Sequence, residues 1–337
     1  MRRIHVPSSR PRSRKRARRA RATLAALGAA LLAVAGCGSR PFAEGSSREL
    51  VVLTSLPADA PEILMLRAVV EREALRIDHE PSFVLRLASP TDAAASRSTL
   101  VLAVGYGPFD QIPKPCAKLR ALLESGDTPF AFIPDLWLRG QASGIFWTRT
   151  RDEWISAMAR AQNPFYLALD RATFGAVRER VLALPRDDRA ERILAEALDF
   201  KMRVPRGYTV QVLKRARAAL VVDEGPPARL LRIQGAPAAE GDIGQARAAL
   251  ARLFRPHEET LPLADPMLVP DEMAGARSRL YGRWEDSDVS AGGPFRFYQV
   301  ARGTRAFNVD LAVFAPGRPK LPYLRELQVL AETVEAK

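Results

Sequence analysis

The 337-residue sequence is poor in the residue types that cross-link small folds or form common catalytic sites. It has two cysteines and three histidines. If one cysteine is modified, the other has no partner, so an intramolecular disulfide is excluded and the fold must rest on its hydrophobic core. With 47% apolar residues the chain can form such a core, and its length suggests two domains.

The N-terminal apolar run is too short to span a bilayer as a helix. This run, residues 23–36, has 14 residues, whereas a spanning helix needs about 20. Ten arginine and lysine residues precede it, and the first acidic residue is Glu44. A basic block followed by a short apolar segment is typical of a signal peptide for export.

The apolar segment ends in Val34-Ala35-Gly36-Cys37. Small residues before a cysteine are similar to the lipobox of bacterial lipoproteins, in which a diacylglyceryl group is attached to the cysteine sulfur before the signal is removed. We therefore expect residues 1–36 to be a signal peptide and Cys37 to anchor the chain to a membrane through its lipid.

The next segment, residues 37–48, is small and polar and predicts a flexible tether. Its second residue is Gly38 rather than the aspartate that often retains lipoproteins at the inner membrane. In a cell with two membranes, the sequence therefore predicts an outer-membrane lipoprotein that faces the periplasm.

Most of the net positive charge of the chain belongs to the predicted signal peptide. The whole sequence has 51 basic and 38 acidic residues, a net charge of +13, but without the signal it has 41 and 38, a net charge of +3. A nucleic-acid-binding arm would explain the arginines but not the apolar run and cysteine directly after them. We therefore expect a membrane partner through Cys37, an envelope protein as a candidate partner, and no nucleic acid.

Apolar patterns predict an α/β domain over residues 49–199. Short apolar runs such as residues 100–104 are typical of buried strands, and apolar residues at helical spacing separate them. The stretch 151–199 is predicted to be helical, with one helix capped by Thr150 and another that begins at Asp170.

Residues 200–337 have a different pattern, which predicts an α+β domain. Alternation of apolar and polar residues, as in residues 307–313, indicates strands with one exposed face. Gly303-Thr304 has glycine first, as a two-residue type II′ hairpin requires, and residues 324–334 predict a last helix. The expected fold is an N-terminal α/β domain that ends in helices, and a C-terminal antiparallel sheet packed with helices.

Several turns and strand ends occur in a characteristic order along the exported chain. Near the C-terminus they are Arg283-Trp284-Glu285, Gly292-Gly293-Pro294-Phe295, residues 312–317 and Tyr323-Leu324-Arg325-Glu326-Leu327. Upstream they are residues 49–53, Glu80-Pro81-Ser82-Phe83 and Val204-Pro205-Arg206-Gly207-Tyr208. In these segments the sequence resembles the bacterial lipoproteins grouped as domain of unknown function 4837. The resemblance covers nearly all of the exported chain and implies an envelope lipoprotein of undetermined activity.

Histidines that could serve catalysis are scarce. If His5 leaves with the signal, His79 and His257 remain, and the sequence has no G-x-S-x-G motif to supply a nucleophile. His257 precedes Glu258 and Glu259, but no second histidine stands four residues on. Solvated charges are the simpler interpretation, and we expect no metal site.

Two further segments have part of the pattern of a ligand site. Residues 285–288 contain three carboxylates, but a calcium loop from Asp286 would need glycine and glutamate where Ala291 and Phe297 stand. Residues 105–107, Gly-Tyr-Gly, follow a strand but lack the third glycine of a dinucleotide fingerprint. We therefore expect no cofactor.

Cys116 is the remaining thiol, and two interpretations of it stay open. Its lysine neighbour Lys114 could lower the pKa of the thiol and make it reactive. Alternatively, Cys116 is a packing residue, which is the commoner role of a lone cysteine.

One region has the composition of a binding surface. Trp284 and Phe295 lie near the Gly292-Gly293-Pro294 turn, where a sheet with an exposed edge could take a ligand or a peptide. The same aromatic residues could instead form the core beneath a hairpin, which needs no function.

No motif assigns a reaction, so the leading hypothesis is an envelope-anchored lipoprotein that acts as a non-catalytic binding or assembly module. One alternative is a hydrolase of envelope lipid or glycan, with His257 or the carboxylates of residues 285–288 as catalysts. Another alternative is a small-ligand binder that uses a groove between the two predicted domains.

Replacement of Cys37 by serine tests the lipid anchor. A serine hydroxyl does not accept the diacylglyceryl group, so we expect Cys37→Ser to accumulate as an uncleaved precursor, whereas Cys116→Ser is processed normally. Mass spectrometry of the membrane fraction should find a lipid-bearing N-terminus at residue 37 in the parent chain. An unmodified N-terminus upstream of residue 37 would contradict this expectation.

Overall fold

The apolar runs between residues 49 and 148 form a five-stranded sheet in the computed structural model of the chain. The strands of this region are β1 (Glu49–Leu53), β2 (Glu73–Leu75), β3 (Glu80–Pro81), β4 (Val84–Ala88), β5 (Leu100–Tyr106), β6 (Phe130–Pro134) and β7 (Ala142–Thr148). The sheet order is β4-β1-β5-β7-β6. Neighbouring strands of this sheet are parallel, except that β6 and β7 are antiparallel. Strands β2 and β3 form a separate antiparallel pair.

The structure describes residues 40–75, 79–112, 116–125, 128–236, 242–263 and 273–337. The predicted signal peptide and Cys37 lie outside these residues. The stretch from Phe42 to Lys337 is one compact unit. In the described ranges, no helix combines the length and the hydropathy needed to cross a membrane.

The central strands of the first sheet are apolar throughout because both faces are covered. All seven residues of β7 and six of the seven of β5 are buried. Helix α1 (Pro61–Val70) lies on one face, where Leu66 shares a core with Leu50. Helix α2 (Ala117–Ser125) lies on the other face, beside Ala103 and Ile145.

A single helix, α3 (Arg151–Ala183), replaces the two helices predicted for this stretch. Thr150 caps it in the predicted capping box, because its hydroxyl accepts from the backbone N–H of Glu153 at 3.2 Å and the Glu153 carboxylate accepts in return. The prediction of a new helix at Asp170 is wrong, because that carboxylate pairs with an arginine of the last helix instead of capping. One continuous buried face carries α3 past the exposed Pro164.

The second half forms the predicted antiparallel sheet. Its strands are β8 (Phe200–Lys201), β9 (Thr209–Leu213), β10 (Ala218–Asp223), β11 (Ala228–Ala236), β12 (Glu258–Pro262), β13 (Ala276–Asp286), β14 (Ala291–Arg302), β15 (Arg305–Phe314) and β16 (Glu335–Ala336). Seven of them form one sheet in the order β12-β13-β14-β15-β11-β10-β9, and β8 pairs with β16. Helix α4 (Asp188–Ala197) precedes this sheet in the chain. Helices α5 (Ile243–Arg252) and α6 (Leu321–Glu332) belong to the second half.

The predicted two-residue hairpin joins β14 to β15. Arg302 pairs with Arg305 across the turn, and Gly303 has a φ of +61° while Thr304 keeps a negative φ. Glycine adopts this backbone conformation without the steric cost of a Cβ atom. The turn thereby fixes the register of β14 and β15.

One helical layer covers an apolar face of each sheet. Helix α3 packs against β6 and β7 and also against α6, which in turn packs against β11 and β15. Trp154 and Phe165 of α3 belong to the same core as Leu324 and Leu327 of α6. The boundary predicted near residue 199 therefore falls between two sheets that share a core, and the division into two separate domains stays a prediction.

The globular part begins before the first predicted strand. The backbone N–H of Ala43 donates to the carbonyl of Arg139 and that of Glu44 to the carbonyl of Arg97, each at 2.9 Å. Ala43 is also buried. Residues 42–48, which we expected to belong to the tether, are thus held by backbone pairing that their polar composition does not reveal.

Glu80 connects the two halves. Its carboxylate accepts hydrogen bonds from the backbone N–H groups of Lys320 at 2.7 Å and Leu321 at 3.2 Å, at the N-terminus of α6. Burial raises the pKa of Glu80, and the two N–H groups and Arg48 offset only part of this rise. The capped helix therefore depends on a residue far away in the sequence.

Four charged side chains are buried together beneath α5. They are Arg232 of β11, Arg247 of α5, Glu258 of β12 and Asp310 of β15, each 0% exposed. Nη1 of Arg232 donates to Oε1 of Glu258 at 3.0 Å and to Oδ2 of Asp310 at 2.5 Å. Nη2 of Arg247 donates to Oε1 of Glu258 at 2.5 Å. Two cations and two anions leave this buried ion network neutral.

The buried ion network is stable only as a complete set. Burial opposes the charge of Arg232, but the carboxylates of Asp310 and Glu258 outweigh it and hold the pKa of this guanidinium above its usual value. Removal of one partner from such a group leaves an uncompensated buried charge, which costs roughly 3–5 kcal/mol.

Glu258→Gln tests the network. The amide keeps the shape of the side chain but removes its charge, so two arginines then share one carboxylate, and we expect a loss of about 3–5 kcal/mol in the free energy of unfolding. Urea unfolding measures this loss. The matched control is Glu259→Gln at the exposed neighbouring position, where a change within about 0.5 kcal/mol is expected. Equal stabilities of the two variants would contradict a structural role for the network.

Candidate functional site

The five residues predicted as a binding surface lie side by side on β13 and β14. Trp284 is opposite Gly293 in the register of these strands. Gly292 and Gly293 line a pocket of about 680 Å³ at the end of the second sheet, here named the hairpin pocket. Its other lining residues are mostly polar or small: Glu259, Arg283, Glu285, Asp286, Ser287, Ser290, Ala291, Phe314, Pro316, Gly317 and Lys320.

Trp284 and Phe295 face the core rather than the hairpin pocket. Trp284 and Phe295 are each 1% exposed and belong to a core that includes Leu250 of α5. Pro294 is also buried. The indole N–H of Trp284 makes no hydrogen bond within the described residues. The structure thus places two glycines at a pocket and the aromatic residues beneath it.

The backbone forms one wall of the hairpin pocket because β15 approaches Gly293 closely. A Cβ atom at this position would lie 2.0 Å from the carbonyl oxygen of Val313. No side chain fits at that distance, so glycine is required here for packing. The glycine pair therefore has a structural reason to be present.

Three charged residues of the hairpin pocket, Arg283, Glu285 and Asp286, form ion pairs. Nη2 of Arg283 lies 2.8 Å from Oε1 of Glu285. Nη1 of Arg255 donates to Oδ2 of Asp286 at 3.2 Å. These ion pairs satisfy the carboxylates that the sequence suggested as calcium ligands or catalysts.

His257 lies beside one of the predicted acidic residues. Its Nε2 is 3.5 Å from Oδ2 of Asp288, and the two side chains are 62% and 60% exposed. Neither residue lines the hairpin pocket. In the part of the chain that the structure describes, no group of three His, Cys, Asp or Glu side chains is placed to hold a metal ion. The geometry is that of a surface pair, which is weak in water.

A crevice opens at the carboxyl ends of β1 and β5. These strands are adjacent and parallel, but β1 leads to α1 on one face of the sheet and β5 leads to α2 on the other. Connections that diverge in this way leave space between neighbouring strand ends. Ligands of open α/β sheets bind at such switch points.

A pocket of about 600 Å³ fills this crevice and is here named the carboxyl-edge pocket. Leu53, Val104 and Trp147 line it from the ends of three parallel strands. The other lining residues are Ser55, Pro90, Thr91, Asp92, Ala93, Ser96 and Gln111. Apolar surface predominates, and a few polar groups add direction, as in typical small-molecule sites.

Two polar side chains of the carboxyl-edge pocket are free to bind a ligand. The Ser55 hydroxyl and the Gln111 amide form no hydrogen bond within the described ranges. Asp92 is the ionisable residue among the described lining residues, and its Oδ1 already accepts from the backbone N–H groups of Ala94 and Ala95 at 2.9 and 3.1 Å. The described lining residues of the pocket therefore offer hydrogen bonds but no cation.

A third cavity, the boundary pocket, spans the predicted domain boundary. It measures about 710 Å³ and is lined by residues between 182 and 203 and by Thr333 and Glu335. Its charged side chains bind each other: Arg186 pairs with Glu191, and Nζ of Lys201 lies 2.8 Å from Oε2 of Glu335. Fewer polar groups are therefore free to bind a ligand in the boundary pocket than in the carboxyl-edge pocket.

Sequence patterns did not identify the carboxyl-edge pocket. The α/β rhythm predicted parallel strands, and Gly105-Tyr106-Gly107 marked the end of β5, but the missing dinucleotide pattern argued against a site there. Ser55 and Gln111 meet only because β1 and β5 pair in parallel. The order of strands was the missing signal, and local sequence does not encode it.

Cys116 is a packing residue. It is 0% exposed and lies in a cluster with Ile112, Leu119 and Leu136. Burial raises the pKa of its thiol to about 11. Of the two interpretations that the sequence left open, the structure favours packing over a reactive thiol, because the apolar surroundings disfavour the thiolate.

Comparisons with known proteins give no family for the chain. No family model matches it, and no curated protein matches it. It is similar to a crystal structure at 1.50 Å resolution of a protein from Bacteroides thetaiotaomicron VPI-5482, with 12% identity, a TM-score of 0.25, and coverage of 41% of this chain. The similarity spans 45% of that protein, less than half of its length. A likeness this weak carries no argument about fold or function, and the resemblance to domain of unknown function 4837 stays a prediction.

The buried thiol predicts a loss of stability at high pH. In the unfolded chain Cys116 ionises near its ordinary pKa of 9.0, whereas the buried thiol keeps its proton up to about pH 11, so the folded state loses stability as the pH rises between these values. We expect the free energy of unfolding to fall by about 2–3 kcal/mol more in the parent chain than in Cys116→Ala over this range. Urea unfolding at several pH values measures the difference. Parallel pH profiles would contradict a buried, protonated thiol.

Proposed function

We propose that the chain is a lipid-anchored envelope protein that binds a small neutral molecule in the carboxyl-edge pocket. The observation that supports binding is the position of this pocket, between two parallel strands whose connections diverge. Its volume of about 600 Å³ suits a small organic ligand. The anchor rests on the N-terminal sequence that ends in Cys37.

The lining of the pocket defines the chemistry of the ligand. Leu53, Val104 and Trp147 provide an apolar wall, so the ligand has an apolar or aromatic body. Ser55 can donate or accept one hydrogen bond, and the Gln111 amide can do both. Because the described lining residues include a carboxylate, that of Asp92, but no cation, a neutral ligand is favoured over an anion.

The carboxyl-edge pocket is a better candidate than the other two cavities for one physical reason. A ligand gains affinity where polar groups are free in the empty site, since no internal hydrogen bond or ion pair has to be broken. The hairpin pocket and the boundary pocket contain ion pairs such as Arg283 with Glu285 and Lys201 with Glu335. Binding to either cavity would compete with these pairs.

The hydrolase alternative has one supporting observation, the proximity of His257 and Asp288. A histidine held by a carboxylate is one part of a general-base arrangement. This pair is exposed and lies outside the lining of the hairpin pocket, so the binding function is the better supported of the two.

Ala93→Trp tests the proposed site. Ala93 lines the carboxyl-edge pocket at an exposed position, so an indole there fills the cavity without disturbing the core. The probe is N-phenyl-1-naphthylamine, a neutral aromatic amine whose fluorescence rises in apolar surroundings. We expect saturable binding to the parent chain and at least about tenfold weaker binding to Ala93→Trp, since the wall surface becomes inaccessible.

The matched control is Ala195→Trp, which places the same indole in the boundary pocket. It should bind the probe as the parent chain does, and thermal unfolding should show that both variants are folded. Probe binding that persists in Ala93→Trp and disappears in Ala195→Trp would move the site to the boundary pocket. Probe binding unaffected by both substitutions would refute the proposal.

A further inference from the structure

A small pocket on the second sheet is lined by three arginines. Arg217, Arg277 and Arg305 surround a cavity of about 290 Å³, together with Thr304 and the backbone at Gly235 and Phe307. We name it the arginine pocket. It is separate from the carboxyl-edge pocket, whose lining residues all lie in the first half of the chain.

The charges around the arginine pocket do not balance. Asp199 pairs with both Arg217 and Arg305, and among the described residues this one carboxylate is the anion placed against them. Three guanidinium groups around one carboxylate leave a net positive charge. Like charges held this close repel each other unless an anion is recruited from solution.

Two donors of the pocket are unused. Arg277 is exposed and has no ion pair or hydrogen bond with any described residue. The Thr304 hydroxyl likewise makes no hydrogen bond within the described ranges. Guanidinium and hydroxyl donors that converge on one small cavity fit the oxygens of a phosphate group.

Two turns of the backbone position three residues of the pocket, Thr304, Arg305 and Arg217. Thr304 belongs to the tight hairpin after Gly303, which also sets the position of Arg305. Arg217 has a φ of +51°, a left-handed conformation that residues with a side chain adopt rarely. Strained residues of this kind concentrate at ligand sites, where the surrounding structure fixes them.

We propose that the arginine pocket binds a phosphate group. Arg277 and Thr304 contact the phosphate oxygens directly, while Arg217 and Arg305, anchored by Asp199, supply the positive field. The volume of about 290 Å³ admits the phosphate and the first atoms of its substituent. The phosphate group belongs either to a free phosphate compound or to the headgroup of a lipid. The pocket would recognise the phosphate oxygens in the same way in both cases.

Calorimetric titration of the full chain in a neutral detergent tests the proposal, at low ionic strength so that screening is weak. The probes are inorganic phosphate and dihexanoyl phosphatidate, a soluble lipid with a phosphomonoester headgroup. We expect Arg277→Gln to raise the dissociation constant about tenfold and Thr304→Val to raise it a few-fold, since charged hydrogen bonds contribute more than neutral ones. Because Arg277 is exposed and forms no hydrogen bond or ion pair with any described residue, its loss should leave thermal unfolding unchanged.

The control is Arg252→Gln, an exposed arginine of α5 that also has no partner among the described residues and lies outside the pocket. It should bind both probes as the parent chain does, and this result would exclude non-specific attraction to basic surface as the cause of binding. Tighter binding of phosphatidate than of inorganic phosphate assigns the site to a lipid headgroup, and the reverse order assigns it to free phosphate. Absence of binding by the parent chain, or equal losses in Arg277→Gln and Arg252→Gln, would overturn the proposal.

Discussion

Both sheets bury an apolar face against the same helices, and the rest of the structure depends on this burial. Phe165 of α3 packs on Phe130 and Phe146 of the first sheet, with ring centroids 5.5 Å apart in each pair. On the other side, α6 covers the second sheet with Leu324 and Leu327. Interiors are packed too densely for one layer to shift alone, so the positions of the two sheets are coupled through α3 and α6.

The shared layer leaves the rims and outer faces of the sheets for different chemistry. On the first sheet, the strand ends form a mainly apolar crevice whose described lining includes one carboxylate, that of Asp92, and no cation. On the second sheet, charge dominates: two arginines and two carboxylates neutralise one another beneath α5, whereas the three arginines of the arginine pocket face one carboxylate. The difference follows from solvent, since buried charges must be balanced within the protein and exposed ones can be balanced by a ligand or salt.

Features that depend on a few neighbouring residues could be predicted from sequence. The Thr150 capping box and the Gly303 hairpin are set by local hydrogen bonds and backbone sterics, and both are present. The start of a helix at Asp170 was predicted by the same rule and is absent. Its carboxylate is bound by Arg325, which is 155 residues away in the chain, and this long-range partner removes the need for a cap. For the candidate surface, the sequence offered two interpretations of Trp284 and Phe295, a binding surface or a core beneath a hairpin, and the structure buries both side chains in the core.

The sequence by itself determined the α/β pattern of the first half, the antiparallel pattern of the second half, the Thr150 cap and the Gly303 turn. These features depend on apolar periodicity, backbone sterics and hydrogen bonds between neighbouring residues. The tertiary structure alone decided the chemistry of individual groups. Cys116 keeps its proton because apolar side chains surround it, and Arg232 keeps its charge because Glu258 and Asp310 reach it. Ser55 and Gln111 share a pocket because β1 and β5 are neighbours. Protonation and ligand binding depend on burial and distance, and these are fixed by contacts between residues far apart in the chain.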